Sequence, residues 1–229
     1  MHIRLLLLCF FVSSLNLANA QNVSILFLGN SLTYSNDLPG LLEDIGHAHN
    51  QTLETDCLCY PNYGLEDHWQ DGDFQKMMET SSYDFVIFQQ GPSSQDYGRE
   101  SLLEFGGKIS ALSKNHNAKP VYFMVWPSLA YYHTFDGVIR NHRDAAFENE
   151  ATLVSVGEVW RQIHEDYNKA GLYGWDGFHP STKGTTLAAL LLYQSLIGDL
   201  NEDVLKKTFR KHFSDSEIRM VLDAKKIAD

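Results

Sequence analysis

Cysteine is scarce in this chain, with three among 229 residues. That excludes the disulfide-dense class of small exported domains. Cys9 falls in an N-terminal segment expected to be removed. Cys57 and Cys59 remain, spaced for the same face of a strand. A bridge between residues two apart would be strained, so the pair is read as two thiols packed under a helix, with a disulfide or a metal pair as alternatives. Long apolar runs are also missing. Leu5 to Val12 is too short to span a bilayer, and Leu187 to Tyr193 is a core helix at most. Positive charge is in deficit. Arg4 is the only charged residue among the first twenty, which leaves 17 basic against 29 acidic side chains and a net charge of −12. Such a surface argues against nucleic acid and against anionic membranes as partners. There are no internal repeats and no low-complexity linker.

What is present begins with a leader. Met1-His2-Ile3-Arg4 is weakly positive, an apolar run follows, and Ala18-Asn19-Ala20 is a small-residue cleavage pattern. Residues 1–20 are therefore read as a secretory signal peptide, which implies a secreted or periplasmic protein. The 209 residues from Gln21 suit a single α/β domain with a sizeable core. Residues from about 200 to 229 read as an extension of one or two amphipathic helices.

Between those ends, β-rich runs alternate with helical stretches. Strands are expected at Val23–Leu28, Thr52–Tyr60, Phe85–Phe88, Val121–Val125 and Leu153–Val156. Phe85–Phe88 is apolar at every position, as in a strand covered on both faces. Asp37-Leu38-Pro39 opens a helix with aspartate as cap. Leu102, Phe105, Ile109 and Leu112 mark another helix at helical spacing. Further helices are expected near Phe74–Glu79, over Gly137–Glu148, along Val159, Ile163 and Tyr167, and after Pro180-Ser181. This alternation predicts a parallel sheet with helices on both faces. Ligands of such sheets bind beyond the carboxyl ends of the strands. Ser31, Gly64, Gln89 to Ser94 and Trp126 all follow expected strands, so the sequence places them along one edge.

Two segments at that edge carry complementary chemistry. Gly29-Asn30-Ser31-Leu32 puts a serine directly after the first strand. Asp176-Gly177-Phe178-His179, far along the chain, puts a carboxylate one turn before an imidazole. A serine hydroxyl is a weak nucleophile until a base takes its proton. His179 suits that role, and Asp176 can fix its tautomer and stabilise the imidazolium.

Together these blocks resemble the SGNH (GDSL-like) hydrolase superfamily, over about residues 22–197. Gly29-Asn30-Ser31-Leu32 is similar to its G-D-S-L block, Asn62-Tyr63-Gly64 to its second-block glycine, and Asp176-Gly177-Phe178-His179-Pro180-Ser181 to its D-x-x-H block. The resemblance implies a three-layer α/β/α sandwich around a five-stranded parallel sheet, the flavodoxin-like SGNH hydrolase fold. It implies a serine esterase acting through an acyl-enzyme with Ser31, Asp176 and His179, and with no metal or cofactor. The oxyanion donors it implies are the Ser31 and Gly64 backbone N–H groups and one side-chain amide. Here the third block departs from G-x-N-D: Gln89-Gln90-Gly91-Pro92-Ser93 looks like the Q-G-x-S form of carbohydrate acetylesterase branches. Gln90 is then the amide donor, with Gln89 as the alternate. Asn30 in place of aspartate is read as structural. Short acyl or O-acetyl esters, including those of carbohydrates, are the implied substrates.

Other residues are candidates for the walls of a pocket: Asn30, Gln89, Ser93, Trp126, His133 and Phe178, with Tyr131, Tyr132 and Trp175 as further aromatic surface. Two other readings remain open. In a flavodoxin-like binding module Ser31, Thr33, Tyr34 and Ser35 would cradle a phosphate. The altered third block also permits a carbohydrate-binding relative without catalysis. Asn22-Val23-Ser24 and Asn50-Gln51-Thr52 are glycosylation sequons, which matter only in a eukaryotic host.

Overall fold

The computed structural model describes residues 22–167 and 171–223. The signal-peptide expectation, residues 1–20, lies outside them. Five strands form one parallel sheet in the order β2-β1-β3-β4-β5: β1 is Val23–Gly29, β2 Leu53–Cys59, β3 Phe85–Phe88, β4 Lys119–Phe123 and β5 Thr152–Val154. Strand order reverses between β1 and β3, and a crevice opens at such a point, beyond the carboxyl ends.

Alternation along β1 divides the core in two. Ile25 and Phe27 face one side and Leu26 and Leu28 the other, all fully buried. The first side is covered by α2 (Leu38–Ala48), α7 (Val156–Asp166) and α8 (Thr182–Leu196). The second is covered by α3 (Leu65–Asp71), α4 (Asp73–Thr80) and α5 (Asp96–Asn115), with α6 (Phe135–Glu148) along the β5 edge. This is the expected α/β/α sandwich. A short helix α1 (Ser31–Tyr34) follows β1, and a 3-10 turn, Leu129–Thr134, precedes α6. Among the described residues no helix is long and apolar enough to cross a membrane.

Three details depart from the sequence reading. Helix α3 lies where no helix is expected; its seven residues bury only Leu65 and His68, and Gly72 at φ 80 separates it from α4. β4 starts two residues early, at Lys119, because Pro120 sits where no strand partner needs its missing N–H; Met124, Val125 and Trp126 are buried beyond its end. Cys57 and Cys59 are joined by a disulfide, with Cα atoms 5.3 Å apart, instead of lying as thiols under a helix. Strand β2 is an edge strand, and its carboxyl half is partly open, with Cys57 exposed and Cys59 half-buried. The two side chains project from one face and meet each other there. The helices expected after about residue 200 are α9 (Glu202–Phe209) and α10 (Asp215–Asp223). α10 packs on α7 and α8, α9 packs on α10, and Leu205, Phe209, Ile218 and Val221 are buried in the same core.

Both edges of the sheet are limited. On β2 the Thr55 N–H donates to Glu43 Oε1 of α2 at 2.7 Å, and β5 is three residues long.

Helix α8 starts in a tightly packed region. A Cβ on Gly184 would press on the Leu172 carbonyl oxygen and come within 2.5 Å of the Trp160 ring. That ring is itself stacked on Trp126, with centroids 3.5 Å apart. Neither a backbone carbonyl nor a stacked indole can give way cheaply. Gly184→Ala is therefore expected to cost about 1–3 kcal/mol, read as a lower midpoint in chemical denaturation.

Candidate active site

Strand β1 runs into α1 with one residue between them. Asn30 makes that turn with extended backbone and caps α1, its Oδ1 accepting the Leu32 N–H at 3.0 Å. Its Nδ2 donates to the Tyr63 carbonyl at 2.9 Å, which fastens the turn to the loop leading into Gly64. Aspartate could supply the cap but not this donor. The turn is buried, so its remaining polar groups need partners. Gln89 Oε1 accepts both the Asn30 N–H at 3.1 Å and the Thr33 hydroxyl at 3.0 Å. The Gly29 carbonyl accepts from His68 Nε2 at 3.0 Å. A carbonyl can only accept, so this nitrogen carries the ring proton. Burial holds the His68 pKa below its ordinary value and keeps the ring neutral.

Ser31 begins α1, half-buried, and its N–H has no intrahelical carbonyl to bond. Its Oγ lies 2.8 Å from His179 Nε2. His179 Nδ1 lies 2.6 Å from Asp176 Oδ2. A carboxylate accepts, so Nδ1 holds the proton and Nε2 is left to accept from the serine hydroxyl. Asp176 Oδ1 takes the backbone N–H groups of Phe178 and His179, each at 3.0 Å. The hydrogen bond from the His179 ring, followed by that from the Phe178 N–H, holds the Asp176 carboxyl below the usual carboxylate range. The structure thus brings together the three side chains that the sequence singles out, 145 and three positions apart.

The loop that carries Asp176 and His179 is held from several directions. Gly177 turns at φ 68, and the Leu129 N–H donates to its carbonyl at 2.8 Å. Trp126 Nε1 donates to the Phe178 carbonyl at 3.1 Å. Asn36 Nδ2 donates to the Pro180 carbonyl at 3.0 Å and to Thr185 Oγ1 at 2.9 Å, linking this loop to the end of α1. Neither Asn36 nor His68 stands out in the sequence. An asparagine before an N-cap aspartate and a histidine four residues after Gly64 have no motif of their own.

The expected oxyanion donors are placed as follows. Gln90 Oε1 accepts the Leu65 N–H at 2.7 Å, which fixes the amide beside Gly64; a Cβ there would be 3.0 Å from Oε1 and 3.3 Å from Nε2. The Gly64 N–H itself donates to Asp67 Oδ2 at 2.8 Å, within the N-terminal cap of α3. It is therefore engaged in the resting structure. Gln89, the alternate amide, is 1% exposed and spends its oxygen on the turn behind Ser31.

Two clefts open here. One, of about 760 Å³, is bordered by Asp176 and lined by His133 and Phe178 among others. The other, of about 290 Å³, is lined by Asn30, Gly64 and Gln90, with Glu66 and Asp67. Of the proposed pocket residues, Gln89, Ser93 and Trp126 line neither, and those three expectations are corrected. Trp126 is fully buried because it stacks on Trp160 and anchors Phe178. Ser93 is buried because its Oγ donates to the Gly91 carbonyl and its own carbonyl accepts from Asn141. The phosphate cradle also loses a member, since the Thr33 hydroxyl points inward to Gln89. Among the described residues no group of three or more His, Cys, Asp or Glu side chains is placed to hold a metal ion.

Asn30→Asp is expected to remove the donor to Tyr63 and set a carboxylate against a carbonyl oxygen. The cost should be about 1–3 kcal/mol, measured by denaturation, with Asn30→Ala as the comparison that adds no charge.

No family model matches the sequence, and no curated protein matches it. Solved structures do. A protein from Slackia heliotrinireducens described as an SGNH hydrolase is 24% identical, with a TM-score of 0.66 over 77% of this chain and 100% of that one. A DUF4886 family protein from Bacteroides uniformis is 14% identical, with a TM-score of 0.71 over 90% and 95%. A variant of an acetylxylan esterase from Geobacillus stearothermophilus is 14% identical, with a TM-score of 0.58 over 76% and 93%. The parallel five-stranded sheet, its strand order and these likenesses agree on one architecture: the chain has the fold of the SGNH hydrolases.

Proposed function

We propose that this protein is an exported serine esterase that cleaves carboxylic esters, with short acyl or O-acetyl groups as its substrates. The observation that carries the reading is the unbroken line from Ser31 Oγ through His179 to Asp176, at 2.8 and 2.6 Å. Proton transfer needs heavy atoms at this separation, and the acid at the far end is already ionised.

In this reading Ser31 Oγ attacks the ester carbonyl carbon as His179 Nε2 takes the hydroxyl proton. A carbon–oxygen bond forms, and the carbonyl electron pair moves onto oxygen. Collapse of that intermediate breaks the bond to the alcohol, which leaves with the proton from Nε2. The acyl-enzyme is then hydrolysed by a water that gives its proton to the same nitrogen, and Ser31 is restored. Asp176 stabilises the imidazolium in both halves. The developing oxyanion takes the Ser31 N–H and the Gln90 amide; Gly64 joins them once Asp67 releases its N–H. Such donors are worth about 3 kcal/mol each. Likeness to an acetylxylan esterase supports the acetyl preference, and the N-terminal leader pattern supports export.

Hydrolysis of p-nitrophenyl acetate tests the reading. Ser31→Ala and His179→Ala should each lose about 10³-fold or more in kcat, and Asp176→Asn about 10⁴-fold. Equal rates in the wild type and all variants would end the proposal. A fluorophosphonate probe should label Ser31 alone, as located by mass spectrometry.

A further inference from the structure

The larger cleft beside the candidate site is walled by apolar side chains that the fold does not need at its surface. Leu129 is 46% exposed and Tyr131 64% exposed. Both belong to the 3-10 turn, none of whose residues is buried. With Pro92, Pro127, Ala130 and Phe178 they bound a space of about 760 Å³, within the range of small-molecule sites. Apolar surface left in water costs free energy that burial by a ligand would recover.

The wall is also rigid. The Leu129 N–H bonds the Gly177 carbonyl, and Thr134 Oγ1 bonds the Tyr131 carbonyl at 2.7 Å. Tyr173 Oη donates to the Pro127 carbonyl at 2.9 Å, and Tyr132 Oη donates to Glu165 at 3.0 Å. A ligand therefore meets a surface that is already ordered, which lowers the entropic cost of binding.

Position says which part of an ester would lie there. The leaving oxygen must come within hydrogen-bonding reach of His179 Nε2 to be protonated. The apolar cleft is lined by Asp176, Gly177 and Phe178, the residues just before His179. The oxyanion candidates Gly64 and Gln90 line the other cleft, with Asn30, Glu66, Asp67 and Tyr97. Developing negative charge and leaving group are thus served from different sides. We propose that the apolar cleft binds the alcohol portion of the ester, and that this alcohol is an alkyl or aryl group larger than ethyl. The assignment rests on the esterase reading above.

The test compares two ester series by kcat/KM, which reports acylation and so senses the leaving group. In n-alkyl acetates from ethyl to hexyl, activity should rise by up to about fourfold per buried methylene, and at least tenfold across the series. In ethyl esters from acetate to hexanoate it should stay flat or fall. Ala130→Trp, which fills the cleft, should bring the hexyl-to-ethyl acetate ratio near one. A flat alcohol series overturns the proposal, and so does a rising acyl series that Ala130→Trp abolishes. Binding of hexanol to the Ser31→Ala variant, followed by calorimetry, separates the two claims. If no ester is turned over but hexanol binds and Ala130→Trp weakens it, the esterase reading fails and the apolar site stands. If hexanol does not bind, the apolar site fails whatever the activity.

Discussion

The structure turns on a single-residue junction between a buried strand and a helix. β1 is the second strand of the sheet, and its last residue and the first residue of α1 are separated only by Asn30. A turn this tight leaves polar groups in the interior, and each has to be satisfied where it stands. The partners come from three separate elements: Gln89 from the end of β3, His68 from α3 and the Tyr63 carbonyl from the loop after β2. Satisfying the turn therefore assembles the crevice. The loop after β2 and the end of β3 are drawn to the serine because the serine's own turn needs their hydrogen bonds.

The second half of the site follows a similar logic from the far end of the chain. Asp176 is both the ring's partner and the acceptor for two N–H groups of its own loop. A carboxylate with these duties cannot swing away without unmaking the turn. Trp126, Leu129 and Asn36 then hold the loop from the segment after β4, the 3-10 turn and the segment after α1, respectively. Orientation of the imidazole is thus set by backbone contacts on either side of it, and Ser31 meets a ring whose tautomer is already chosen.

Much of this was legible in the sequence where the signal is local. The strands announce themselves as short apolar runs, and Ser31, Asp176 and His179 lie in compact motifs whose side chains have few alternative uses. What escaped depends on contacts between distant segments. The polar run of α3 gives no stripe, because its two buried residues include a histidine. Gln89 and Gln90 are adjacent and chemically identical; only burial decides that one serves the turn and the other faces Gly64. Trp126 reads equally well as a cleft wall or as core, and its stacking partner is 34 residues away. The cysteine pair turned on whether a helix covers the open half of β2, which no spacing rule reports.

An open parallel sheet has two unpaired borders, and each is a template on which another chain can align. Here the shorter border offers only three residues, and on the longer one a glutamate from the neighbouring helix already holds a main-chain donor, just ahead of the cystine. An incoming strand would have to displace a carboxylate to find that register. Strand addition at either border thus meets a short ladder or a charged side chain already in place.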